Sequence, residues 1–203
     1  MAYQVVKGGQ EVKRDMEKII TGNQAIVTGN STLAAAVRSL ESWYTTNTSR
    51  GTSGANGSTT AAATDGDQRD IDESLLKDVL QQIFTSGGEP DMIMSGPINK
   101  QKISAFAGNA TRFDNSEDKM LVTAIDVYVS DFGTLKVMPN RFQRERTVHV
   151  LQTDLWATGF LRPFFQEELA KTGDSDKRLV GAEYTLEARN EAASGVIADL
   201  STS

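Results

Sequence analysis

Val12, Met16, Ile19 and Ile20 recur at spacings of four, seven and eight. That puts them on one face of a helix predicted over Gln10–Gln24, with Arg14, Asp15 and Lys18 elsewhere and Gly22 and Asn23 as terminators. A weaker helical period through Leu33, Val37, Leu40 and Trp43 covers Thr32–Tyr44. The clearest stripe is Leu75, Leu76, Val79, Leu80, Ile83 and Phe84. Asp70 or Asp72 is placed to cap that helix, Glu73 completes a capping box with Asp70, and Gly87 and Gly88 stop it. Met92–Met94 reads as a short buried strand. Pro97 then opens a helix, capped by Ser95, that buries Ile98, Ile103 and Phe106 and ends near Gly108.

From Ala124 onward the period changes from helical to alternating. Ile125, Val127 and Val129 share one face of a strand ending at Ser130. Asp131-Phe132-Gly133 makes the turn, and Thr134–Met138 returns. Val148–Leu151 and Trp156–Leu161 are further strands. The polar turn Lys171–Lys177 precedes a long strand, Arg178–Arg189, with Val180, Ala182, Tyr184, Leu186 and Ala188 on one face. Val196–Leu200 is a last short strand. The stripe of the first helix and the stripe of the long strand both lack a partner nearby in sequence, so the two are expected to pack together. Helices and strands in this order imply an α+β fold.

Thr45–Gly66 has no apolar period and is rich in Thr, Ser, Gly, Asn and Ala, which predicts a flexible surface loop. It carries no Gly-Lys-Ser/Thr phosphate cradle, and no strand leads into it.

The 203 residues are 38% apolar and 24% charged, an ordinary globular balance. The sequence has no apolar run near the ~20 residues of a membrane helix, and its first residues lack a signal-peptide core. A net charge of −6 argues against a dedicated nucleic-acid module, though not against a wall that encloses DNA without gripping it.

Without cysteine, and with one histidine, thiolate chemistry and histidine-rich zinc sites are excluded. His149 reads as a structural or surface histidine. The acidic pairs Asp65/Asp67, Asp70/Asp72, Glu167/Glu168 and Asp174/Asp176 could hold a divalent cation. They read better as a helix start and solvated turns, and the calcium-loop spacing is missing. Arg141, Arg144 and Arg146 cluster around Phe142. Arginine forks suit carboxylates on a neighbouring subunit, so these three form a candidate subunit interface. Asn30, Asn47, Asn56 and Asn109 each open an Asn-x-Ser/Thr triplet, read as chance matches.

Several segments, in their order and spacing, resemble one known family. They are VKRDMEKIITGNQA at Val12–Ala25, TNTSRG at Thr46–Gly51, ATDG at Ala63–Gly66, LLKDVLQQIFTSGGEPD at Leu75–Asp91, GPINKQ at Gly96–Gln101, SAFAGNATRF at Ser104–Phe113 and the stretch Asp126–Leu200. Together they resemble the major capsid proteins of tailed bacteriophages, whose fold is shared with herpesvirus shells. The resemblance implies a peripheral lobe, residues 1–30 and 155–192, built on a long spine helix with strands beside it. It also implies an axial lobe, residues 31–154 and 193–203, with a sheet flanked by helices.

The implied function is a self-assembling subunit of an icosahedral capsid that encloses DNA loosely. Its partners would be copies of itself or full-length capsid subunits. No cofactor, substrate, membrane or catalytic residue is implied. The place would be the virion, after synthesis in the cytoplasm of a bacterial host, including from a prophage. Family members carry an N-terminal arm and an extension loop ahead of the spine helix, and both are expected to be absent here. A second reading is therefore a capsid-like fragment that binds full-length subunits and modulates their assembly. A third, a small enzyme using His149 or an acidic pair, lacks convergent catalytic types.

Overall fold

The computed structural model describes residues 2–106, 127–171 and 173–202. Among the described residues, four α-helices, α1 (Ala2–Ile20), α2 (Leu40–Trp43), α3 (Glu73–Thr85) and α4 (Pro97–Ser104), accompany eight strands. The strands are β1 (Thr48–Ser49), β2 (Met92–Ser95), β3 (Val127–Ser130), β4 (Gly133–Pro139), β5 (Val148–Leu151), β6 (Trp156–Leu169), β7 (Lys177–Ala188) and β8 (Gly195–Ile197). The chain is thus an α+β protein.

Six strands form one mixed sheet in the order β1-β8-β5-β2-β4-β3. β2 runs parallel to β4 and β1 parallel to β8, and the other neighbours are antiparallel. Both faces of its centre are covered, which is why all four residues of β5 are buried and its sequence does not alternate. On one face Ile93, Leu135, Val137, Val148, Val150 and Ile197 pack with Leu76, Val79, Leu80 and Ile83 of α3 and Ile103 of α4. On the other, Leu151, Val196 and Ala198 pack with Leu40 and Tyr44, flanked by Met92 and Met94.

β6 and β7 form a separate two-stranded antiparallel ribbon. Its base enters the second core through Leu186 and Trp156, and α1 reaches the same core through Ile20. Trp156 Nε1 donates to Ser194 Oγ at 2.9 Å. The shaft of α1 lies along β7. A two-stranded ribbon is marginal alone in water, so this helix is its main support.

Several expectations need correction. The first helix begins at Ala2, not Gln10. Met16 is buried, but Ile19 is 37% exposed. The helix thus meets its neighbours through Met16 and Ile20, and Ile19 falls on the margin. Of Thr32–Tyr44 only Leu40–Trp43 is helical. Gln24 N–H donates to Ser39 Oγ, and Ser39 N–H to Gln24 O. Val27 and Ala36 form a β-bridge. Local side-chain bonds and this bridge compete successfully with a helix there.

Asp72, not Asp70, caps α3, accepting from Glu73 N–H at 2.8 Å. Asp70 instead pairs with Lys102 at 2.8 Å. Gly87, at φ +84°, ends the helix as expected. Gly96 rather than Ser95 caps α4, which closes at Ser104. In β3 the buried residue is Tyr128, while Val129 is exposed. The tyrosine ring fills the core, and its hydroxyl donates to Glu73 Oε1 at 3.4 Å. The expected helix end at Gly108, Ile125 and the Asn109 triplet lie outside the described residues.

Candidate functional site

The densest polar cluster sits where the Thr45–Gly66 segment meets the sheet. Glu41 is fully buried and receives Arg144 Nη1 at 2.8 Å and Arg50 Nη1 at 3.3 Å. Arg144 also pairs with Asp65 through Nη2. Arg146 reaches Asp199 at 3.4 Å and Asp65 at 3.7 Å, and its Nη2 donates to Gly66 O at 2.6 Å. The Asp199 carboxylate accepts Gly51 N–H at 3.0 Å and Gly66 N–H at 2.8 Å. Every charge here is opposed by another, and the two Asp199 oxygens each also take a backbone amide. This arrangement holds a loop in place.

The segment Thr45–Gly66 is a surface loop for most of its length, but it is held at many points and contributes β1. Beyond the Asp199 contacts, Asn23 exchanges two hydrogen bonds with the backbone of Ala63. Ala55 and Thr64 form a bridge. Its glycines serve close approach rather than flexibility. A Cβ on Gly51 would stand 2.1 Å from Asp67 O, and one on Gly66 would stand 2.6 Å from Gly54 N. The flexible reading of this loop is therefore overturned.

His149 lies behind the cluster, fully buried, its ring stacked on Tyr44 at 5.6 Å. Burial, with the positive charges of Arg50 and Arg144 nearby, pushes its pKa down to about 3. A neutral imidazole with no route to solvent is a packing group. Burial likewise raises the Tyr44 phenol well above its usual range, with Glu191 and Glu41 adding to the effect.

Of the three arginines of the candidate interface, the structure brings Arg144 and Arg146 together, inside the chain's own brace. Arg141 lies apart from them, exposed beside Phe142. The acidic pairs also separate: Asp65 joins the brace, Asp72 caps α3, and Asp176 pairs with Lys171 at 2.7 Å. Among the described residues no group of three or more His, Asp or Glu is placed to hold a metal ion. No described helix is long and apolar enough to cross a membrane.

Sequence reasoning missed Glu41, Arg50 and Asp199. Two of them carried a signal, since Glu41 stands in Leu40-Glu41-Ser42-Trp43 and Asp199 in Val196-Ile197-Ala198-Asp199-Leu200. A lone carboxylate in an apolar run is buried with a partner or not buried at all.

A profile of the SU10 major capsid protein family matches residues 1–201. The chain belongs to that family. It is a structural subunit of the bacteriophage capsid class. The major capsid protein of Escherichia phage Phieco32 is 26% identical over 237 aligned positions, which take in 97% of this chain and 67% of that protein. Among solved structures, the virus-like particle from Pyrococcus furiosus aligns with 64% of this chain and 54% of its own, so the chain spans about half of it. At a TM-score of 0.39 and 15% identity that likeness is too slight to carry an argument. The cluster built on Glu41 and Asp199 is an internal brace of this chain.

Proposed function

We propose that this capsid-family chain builds an icosahedral bacteriophage shell by repeated contacts between its own copies, enclosing DNA that it touches only loosely. The observation that carries the reading is the family match over residues 1–201. Two features support it. The buried charges are spent on bracing a loop, and the net charge of −6 keeps affinity for phosphate low. The α1–β6–β7 unit corresponds to the peripheral lobe, residues 1–30 and 155–192. The six-stranded sheet with α3 and α4 corresponds to the axial lobe, residues 31–154 and 193–203. Arg141 is the remaining candidate of its cluster for contact with a neighbouring subunit. The role is structural rather than catalytic, and the protein's place is the virion, after synthesis in the cytoplasm of a bacterial host.

Negative-stain microscopy of the purified chain, alone and mixed with a full-length relative, tests the proposal. Shells, rings or co-assembled particles support it. A monomer that never enters particles in either setting refutes it.

A further inference from the structure

The α1–β6–β7 unit has two unlike flanks. β6 breaks register twice, between Phe160 and Arg162 and again between Arg162 and Phe165. The break turns Leu161 outward, 83% exposed. Phe160 and Phe164, close to it along the strand, have ring centroids 5.9 Å apart, both over a third exposed. Lys13 of α1 lies on this flank, its Nζ 5.6 Å from the Phe164 ring centroid. This flank is therefore an apolar knob with a cation beside it.

The other flank holds a groove of about 370 Å³ between α1 and β7. Val5, Val12 and Val180 give it apolar walls, and Glu11, Asp15 and Asp176 give it carboxylates. Arg178 also lines it. Lys7 stands 4.0 Å from Glu11, and Lys171 2.7 Å from Asp176. Asp15 has no ion-pair partner among the described residues.

An apolar knob with a lysine at its side and a mixed groove, in which three valines stand among carboxylates and Asp15 is unpaired, are complementary in charge and in the apolar surface each offers. They lie on opposite strands of one ribbon. A contact joining them is head-to-tail, and leaves a free groove on one copy and a free knob on the other. We propose that copies of this chain associate in this way, Leu161 of one entering the α1–β7 groove of the next and Lys13 meeting Asp15. The inference rests on the self-association reading above and names the surface that serves it.

The chain has no cysteine, so introduced thiols report contacts without ambiguity. Leu161→Cys mixed with Gln4→Cys should form a disulfide between copies, and the double variant should give a ladder beyond the dimer. Sedimentation should show association of Leu161→Asp and of Asp15→Lys weakened about tenfold or more, with unchanged melting midpoints. Lys13→Asp combined with Asp15→Lys should restore it. If the unaltered chain associates but the double variant forms no ladder, or Leu161→Cys links only to itself, this contact is wrong and self-association stands. If the unaltered chain never associates, alone or with a full-length relative, the self-association reading falls and this contact falls with it.

Discussion

Asp199 is the residue whose replacement best tests the brace. It is almost completely buried and sits at φ +60°. One carboxylate oxygen accepts Gly51 N–H at 3.0 Å. The other accepts Gly66 N–H at 2.8 Å and faces Arg146 at 3.4 Å. Asp199→Ala strands two partly buried amides, at about 1–3 kcal/mol each when nothing replaces the acceptor. Arg146 keeps Asp65 and Gly66 O, so its loss is small. Alanine in the left-handed region adds roughly 1 kcal/mol. The total is about 3–7 kcal/mol, a large part of the stability of an ordinary domain. Asp199→Gly removes the same acceptors without the backbone strain, so it should be roughly 1 kcal/mol milder than alanine. Asp199→Asn tolerates the backbone and keeps one acceptor oxygen, so it should be the mildest of the three. Urea unfolding with a shared slope gives the order directly. A loss below about 1 kcal/mol for Asp199→Ala, or asparagine as damaging as alanine, would refute the clamp.

Three further outcomes are expected. Below pH 6.5 an unfolded histidine takes up a proton that folded His149 refuses until about pH 3, so its contribution to stability is lost as the pH falls through that window. By about pH 4.5 it amounts to about 2–3 kcal/mol; urea melts of His149→Phe should show an acid-side decline shallower by that amount, and equal slopes would contradict the buried neutral ring. Met16→Ala should cost about 2–5 kcal/mol, whereas Ile19→Ala, with its side chain at the helix margin, should cost about 1 kcal/mol or less; equal losses on thermal melting would mean the helix is seated differently. Within Thr45–Gly66, limited proteolysis should cut at the exposed tip Ser58–Ala62, beyond the Ala55–Thr64 bridge, and early cuts at Thr48–Gly54 would count against the pinned loop.

Much of the architecture follows from local pattern. α3 was legible because its apolar stripe, its Asp72 cap and its terminal Gly87 agree with one another. β7 was legible because one face is covered and the other is not. β3 misled because alternation alone does not say which face is buried. Its small aliphatics suggested Val127 and Val129, yet the buried Tyr128 ring is the larger group. The Thr45–Gly66 loop misled in a different way. Glycine content reports that side chains are excluded, and exclusion by a neighbouring backbone looks the same in sequence as freedom to move. Only the approach of Asp67 O to Gly51 separates the two.

The brace was beyond local reasoning because its partners are far apart in the chain. Glu41 meets a residue 103 positions on, and Asp199 reaches back 148 positions to Gly51. Such contacts exist only once β1, β5 and β8 lie side by side, since Arg50 follows β1, Asp199 follows β8, and Arg144 and Arg146 precede β5. That ordering says what the brace is for. Four segments distant in sequence, including the α2 residue Glu41, converge at one end of the sheet and are fixed there by charges that would be costly to leave unpaired. The ribbon of β6 and β7 is the opposite case, with long strands, nearly all of them accessible, and one supporting helix. In a subunit that must meet its own copies, the first arrangement keeps the sheet end rigid. The second leaves apolar and charged surface accessible, and the proposed knob-and-groove contact is built from it.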